Sequence, residues 1–265
     1  MSRDHSRMDE LYIESSGQGP SLVMLHGWGM HGGIWDNCVP ELEEHVRISK
    51  IDLPGHGRSP RLSGVADMGA LVEIIARHCP RRMTLMGWSL GGIIAMEIAR
   101  RLPGRVDRLL LIATTPRFVT APDWPCGVDP TVLANFAAGL SEDYRRTVRD
   151  FLMLQVQGDD HAPELLRQLK QRAFAHGDPD PKALGQGLDI LAGADLRAVL
   201  DQVACPALIV SGERDRLTPP EAGRRLAGML PDAHYVEIKR AAHAPFLSHR
   251  REFVSAVAAF AGLAA

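Results

Sequence analysis

Nowhere in this 265-residue chain do some 20 apolar residues follow one another, so no segment reads as a membrane span. The N-terminus, MSRDHSRMDELYIESS, also lacks the apolar stretch of about 7 to 15 residues that a secretory signal needs, and a cytoplasmic location is expected. Because Met8 lies so near the start, residues 1 to 7 are expected to be a disordered extension without a role in the fold. Basic charge is not in excess either: 30 Lys and Arg face 32 Asp and Glu, for a formal net charge of −2. A protein that grips a polyanionic backbone needs such an excess, so nucleic acid is set aside. The four cysteines, Cys38, Cys79, Cys126 and Cys205, have neither metal-ligand nor redox spacing. A chain of this length folds without disulfides, so they are expected to be free and mostly buried. No internal repeat is present, and with 45% hydrophobic and 23% charged residues neither a disordered nor a fibrous class fits.

What is present is an alternation. Short apolar runs at 11–14, 21–25, 46–51, 83–86, 107–113, 206–211 and 234–238 read as strands, and 66–79, 92–102, 219–229 and 249–261 read as amphipathic helices. That order predicts an α/β fold with a mostly parallel central sheet and flanking helices. The alternation breaks between 117 and 196, which opens with PRFVTAPDWPCGVDP and continues with PTVLANFAAGL, EDYRRTVRDFLMLQ and PELLRQLKQRAF, helical patterns without a convincing strand. The expected organisation is therefore a core from 1–116 and 197–265, with 117–196 as a helical cap. Function in such folds collects beyond the carboxyl ends of the strands, where an insertion would cover it.

The most informative segment is MTLMGWSLGGIIAMEIAR, in which an apolar strand runs through Gly87-Trp88-Ser89-Leu90-Gly91 into a helix. This is a G-x-S-x-G nucleophile elbow in the context it requires. Small residues at 87 and 91 let strand and helix approach closely, and the serine sits in the strained turn between them. A serine hydroxyl is a poor nucleophile without a base, so a histidine must stand near it in space. Of eleven histidines, His243 follows the strand 234–238 by the short loop AAHAPF and precedes the last helix. His26 and His56 also follow strands, yet both precede Ser89, whereas folds built on this elbow run in the order serine, acid, histidine. The carboxylate that orients the imidazole is then Asp215, in GERDRLTPP just beyond the strand PALIVSG, with Glu213 as its local rival. An oxyanion hole takes one N–H from the residue after the nucleophile, Leu90, and a second from an early loop, here Trp28 in LHGWG, whose ring would line the pocket. This chemistry runs through a covalent acyl-enzyme, and no metal or organic cofactor is expected.

Together LHGWG, DLPGHGRS at 52–59, GWSLGG, GERD and AAHAPF resemble the α/β-hydrolase family over residues 11 to 262. Within it, HGWG, GWSLGG, FLMLQ and AAHAPFLSH are similar to carboxylesterases that remove a methyl group from an acyl chain borne on acyl-carrier protein, a step toward biotin. That resemblance implies a substrate site lined by Trp28, Ser89, Leu90, Phe151, Leu152, Met153, Leu154, Gln155 and His243. The residues of FLMLQ alone leave the matter open, since an apolar stripe in a helix more often packs in the core. The triad is shared with broad carboxylesterases for short acyl esters and with carbon–carbon bond hydrolases, and a fold alone could also serve a non-catalytic binder. An acidic carrier calls for a basic face, and Arg145, Arg146 and Arg149, extended by Arg167, Lys170 and Arg172, could supply one. Against that, Glu142, Asp143, Asp150, Asp159, Asp160 and Glu164 make 141–172 neutral overall, so a mixed solvated face is the favoured reading unless folding sorts the signs onto opposite sides. No nucleic-acid or membrane partner is expected, and the chain is expected to be a monomer.

Overall fold

A computed structural model describes residues 10–65 and 67–262; the expected disordered stretch 1–7 lies outside the described residues. The apolar runs form β1 (Ile13–Ser16), β2 (Ser21–Leu25), β3 (Arg47–Ile51), β4 (Met83–Trp88), β5 (Val106–Ile112), β6 (Ala207–Gly212) and β7 (Ala233–Ile238). They join one sheet in the order β1-β3-β2-β4-β5-β6-β7, with only the β1–β3 pair antiparallel. Parallel neighbours need crossovers that cover both faces of the sheet, so the central strands are buried on both sides. Every residue of β6 is buried accordingly, as are four of the five in β2.

The helices are α1 (Val39–Leu42), α2 (Met68–His78), α3 (Leu90–Arg101), α4 (Pro130–Gln155), α5 (Ala162–Ala173), α6 (Pro181–Gly193), α7 (Pro220–Met229), α8 (Pro245–Ser248) and α9 (Arg250–Ala261). The expected helix 92–102 begins two residues earlier, because Ser89 itself caps it and the glycines at 91 and 92 belong to its first turn. The patterns at 130–140 and 142–155 meet in α4, which has a non-helical residue at Asp143 (φ −153°, ψ 89°). The Asp143 carboxylate accepts from Arg146 N–H at 2.9 Å, an N-cap inside the helix that starts its second half. Helix α6 was not expected from its glycine-rich sequence, PKALGQGLDILAG. Its start is nonetheless encoded: Asp180 accepts from the N–H groups of Lys182 and Ala183, and Pro181 occupies the first turn.

Helices α4, α5 and α6 all lie between β5 and β6, so they leave the sheet at the carboxyl end of β5 and return at the start of β6. Arg172 of α5 fastens this segment to the loop after β2, donating to Gly33 O at 2.6 Å and to Asn37 Oδ1 at 2.7 Å. Among the described residues no helix is long and apolar enough to cross a membrane, and Cys38, Cys79, Cys126 and Cys205 are free, the first three buried.

Candidate active site

Ser89 joins β4 to α3 with φ 55° and ψ −116°, a region that costs a non-glycine residue about 1–3 kcal/mol. The surroundings hold it there. Ser89 N–H donates to Ile112 O at 3.0 Å, while its own carbonyl accepts from Gly92 N–H at 2.9 Å and from the Thr114 hydroxyl at 2.8 Å. No side chain fits at Gly91, where a Cβ would stand 2.5 Å from Leu25 O, and a Cβ on Gly87 would overlap Gly91 O. The elbow is therefore a place where two backbones touch, and the serine is its crest.

His243 lies in the loop between β7 and α8, with its Nδ1–H donating to Asp215 Oδ2 at 2.7 Å. Both residues are buried. The Asp215 carboxylate also accepts from the N–H groups of Leu217 (2.9 Å) and Thr218 (3.0 Å) and from the Thr218 hydroxyl (2.7 Å). Four donors on one carboxylate solvate its charge without water and fix its plane. Thr218 was not anticipated, although an Asp followed three residues later by Thr and then by Pro-Pro is a turn signature. Trp88, the residue before the serine, donates its Nε1–H to His243 O at 2.8 Å, which brings the histidine loop to the elbow. Among the described residues neither Ser89 Oγ nor His243 Nε2 has a hydrogen-bond partner, although both are buried. Buried polar atoms are rarely left so, and these are the two atoms between which a proton would pass.

The rivals stand elsewhere. Glu213 accepts from Arg240 N–H at 2.8 Å and from Lys239 Nζ at 3.1 Å, and so serves the turn after β7. His26 accepts from Leu53 N–H at its Nε2 (2.9 Å), which leaves the proton on Nδ1 to donate to Gly27 O (2.8 Å). Burial pushes its pKa well below the ordinary histidine value, so this arrangement is kept by a neutral ring. It also has a consequence at Trp28. The Gly27–Trp28 peptide is trans, so a carbonyl held by His26, with Met30 N–H at 3.3 Å, turns the Trp28 N–H to the opposite side. Gly27 lies against the elbow, its missing Cβ 3.3 Å from Ser89 Cβ. Among the described residues the N–H groups of Trp28 and Leu90 enter none of the backbone hydrogen bonds of turns and loops.

Above the serine lie the helices inserted after β5. Trp28 Nε1–H donates to Leu184 O of α6 at 2.8 Å, and its ring meets that of Phe151 edge-on, centroids 4.8 Å apart. Gly187 of α6 lets both Trp28 and Leu90 come close, since a Cβ there would stand 2.6 Å from the indole and 3.3 Å from Leu90. Of the five residues FLMLQ, Phe151, Leu152 and Gln155 are buried and Leu154 is partly so, but Met153 is 42% exposed. Five consecutive helical residues span more than a full turn, so they cannot share one face. The structure thus does not bring Met153 together with the others. Gln155 meets the triad through its backbone, its carbonyl accepting from His243 N–H at 3.1 Å.

The six basic residues of this segment are scattered in role. Arg145 pairs with Asp178 (2.6 Å), Arg146 stands 3.7 Å from Asp150, Arg167 pairs with Glu164 (2.7 Å) and Arg172 is used in the contact with Gly33 and Asn37. Arg149 and Lys170 are exposed. Among the described residues no cluster of three His, Cys, Asp or Glu side chains is placed to hold a metal ion.

Residues 22–256 match the model of the Alpha/beta hydrolase family. The chain is 42% identical over 248 residues to pimeloyl-[acyl-carrier protein] methyl ester esterase of Nitrosomonas europaea, covering 94% of this chain and 98% of that one. It is 44% identical over 242 residues to the protein of the same name from Methylococcus capsulatus, covering 90% and 93%. Among solved structures it superposes on the bromoperoxidase of Bacillus anthracis with a TM-score of 0.86 at 22% identity, covering 95% of each chain. The enol-lactonase of Burkholderia xenovorans gives 0.83 at 23% identity, covering 95% and 96%. At that identity the structural likeness concerns the fold.

Proposed function

The chain belongs to the Alpha/beta hydrolase family, and from that premise we propose that it is a serine carboxylesterase acting on the methyl ester of a pimeloyl chain carried by acyl-carrier protein. The observation that carries the reaction class is the pair of buried, unpartnered atoms, Ser89 Oγ and His243 Nε2, beside a carboxylate that already holds the other imidazole nitrogen. Ser89 Oγ attacks the ester carbonyl while His243 Nε2 takes its proton, and Asp215 stabilises the imidazolium that forms. The carbonyl oxygen, now an anion, accepts from the N–H groups of Trp28 and Leu90. Collapse of the tetrahedral adduct breaks the bond to the methoxy oxygen, which leaves as methanol with the proton from His243. Water, deprotonated by the same nitrogen, then cleaves the acyl-serine and leaves the free carboxylate.

The choice of substrate rests on relatives 38–44% identical over most of their length that carry that name. In this reading residues 117–196 form a cap whose Phe151, Leu152 and Leu154, with Trp28, receive the apolar methylenes, while Gln155 lies beside His243. The enzyme works as a cytoplasmic monomer and meets its carrier on the face that bears Arg145, Arg146 and Arg149. The test is growth: the gene should restore growth without biotin to a bacterial strain that lacks its own pimeloyl carrier-protein esterase, and its Ser89→Ala variant should not. If the wild-type gene fails to rescue while the purified protein hydrolyses p-nitrophenyl acetate, the broad carboxylesterase reading replaces this one.

A further inference from the structure

We propose that Asp159, a buried carboxylate in the turn between α4 and α5, is a positioning residue for His243, so that the inserted helical segment helps aim the base as well as covering it. The inference rests on the assignment of His243 as base. Asp159 is 7% exposed, and each of its oxygens has a donor. Oδ1 accepts from His161 N–H at 2.8 Å, within its own turn, while Oδ2 accepts from Ala242 N–H at 2.8 Å, across 83 residues of chain. Ala242 precedes His243. The next N–H, that of His243 itself, is taken by Gln155 O, also of the inserted segment. On its other side the histidine loop packs directly on the end of β6, where a Cβ on Gly212 would overlap Ala242 O. Residues 241–243 are thus held between the sheet edge and the turn 155–160.

The same turn reaches the acid. Arg214, which precedes Asp215, donates to Gly158 O at 2.9 Å and to Asp160 Oδ1 at 2.6 Å. Asp160 Oδ2 also pairs with Arg240 at 3.3 Å. These last contacts lie at the surface and fasten the turn, whereas the contact from Asp159 to Ala242 is buried and holds the Ala241–Ala242 peptide, next in the chain to the Ala242–His243 peptide that Gln155 O holds. A carboxylate serves two N–H donors at once. An amide in the same place can accept with only one atom and turns its NH2 group against the other donor, so Asp159→Asn disturbs the clamp with almost no change of volume.

Asp159→Asn is expected to lower kcat on the ester by about ten- to a hundredfold with little change in KM, as a small misplacement of a catalytic group does. Two readouts separate aiming from mere folding. In a His243→Ala background there is no imidazole to aim, so Asp159→Asn should leave the residual rate unchanged. A further tenfold loss in that background would overturn the proposal. In proton NMR of the whole protein, the downfield His243 Nδ1–H signal should move or broaden in Asp159→Asn and stay in place in Asp160→Asn; an unmoved signal in both would also overturn it. Should Asp159→Asn not fold, Asp159→Glu keeps both acceptors at a longer reach, and it should move the same signal. If His243→Ala is itself fully active the base has been misassigned, an outcome distinct from a failure of Asp159 alone.

Discussion

Ser89 is fixed by the sheet and α3: its N–H, its carbonyl and the glycines at 87, 91 and 92 bond or abut β2, β5, α3 and the residues that follow β2 and β5, His26 and Thr114. His243 is held from two sides, by Asp215 and Trp88 of the core and by Gln155 of the inserted segment, whose Asp159 holds the preceding residue, Ala242. Ser89 and His243 are both buried, and residues between β5 and β6 pack beside each: Gly187 against Leu90, and Gln155 through its carbonyl on the His243 N–H. Of the contacts that hold the two residues, those from the inserted segment fall on the histidine loop alone.

The comparison is broken most severely at the core. Ser89→Ala should lower the acylation rate by about 10⁶-fold with the fold intact, since only a hydroxyl is lost. Asp215→Asn should cost about 10⁴-fold by supporting the wrong imidazole tautomer. Glu213→Gln, whose side chain faces Lys239 and Arg240, should leave the rate within about twofold by comparison, as surface polar changes do. Steady-state rates on a short p-nitrophenyl ester check all three. A larger loss in Glu213→Gln than in Asp215→Asn would transfer the role of the acid.

Residues 83–101 announce this half of the site in the sequence because an elbow is a local object: strand, turn and helix are consecutive, and the glycines that permit it are written beside the serine. His243 and Asp215 were legible for a similar reason, each following a strand of the sheet by a few residues. The partners that make the arrangement work were not. Thr218 bonds Asp215 locally, but Asp159 and Gln155 meet the histidine loop only through the path of α4 across the sheet edge, which no spacing encodes. Helix α6 was hidden by its glycines, which weaken the helical signal. The structure gives Gly187 its reason, because Trp28 and Leu90 occupy the space a side chain would need. The orientation of FLMLQ was equally unreadable, because which face of α4 turns inward depends on the Trp28 and Phe136 rings that meet Phe151.

A change in the inserted segment should break something else. Phe151 is buried between Trp28 and Phe136, so Phe151→Ala leaves a cavity that costs about 3–5 kcal/mol of stability. It should also raise KM for the acyl ester more than it lowers kcat, because in the proposed reading Phe151 receives the acyl chain and carries no group that takes part in the chemistry. Thermal unfolding and a KM-against-kcat comparison measure this. An unchanged KM with reduced kcat would mean that Phe151 supports the chemistry through Trp28 and not the acyl chain.

The effects expected of the arginines are smaller than those of the triad, and here the structure divides a group that the sequence treats as one. Arg145 holds Asp178 at 2.6 Å and so ties α4 to the stretch between α5 and α6. Arg146 stands 3.7 Å from Asp150 with both side chains exposed, and exposed pairs of that kind are worth little. Arg149 is exposed as well. An acidic carrier drawn to this face would therefore feel Arg146 and Arg149, whereas Arg145 would act through the shape of the cap. Replacing Arg146 and Arg149 with alanine should lower kcat/KM on the carrier-linked ester by about tenfold at low salt, with the difference shrinking as salt rises toward the screening range. A small free ester should be unaffected. Arg145→Ala should lower both substrates by a similar factor and show little salt dependence. If instead all three replacements act equally on the carrier-linked ester alone, the Arg145–Asp178 pair opens on docking and the whole row belongs to the carrier. If none acts on either substrate, the carrier is received on another face and the mixed charges of 141–172 are a solvated surface.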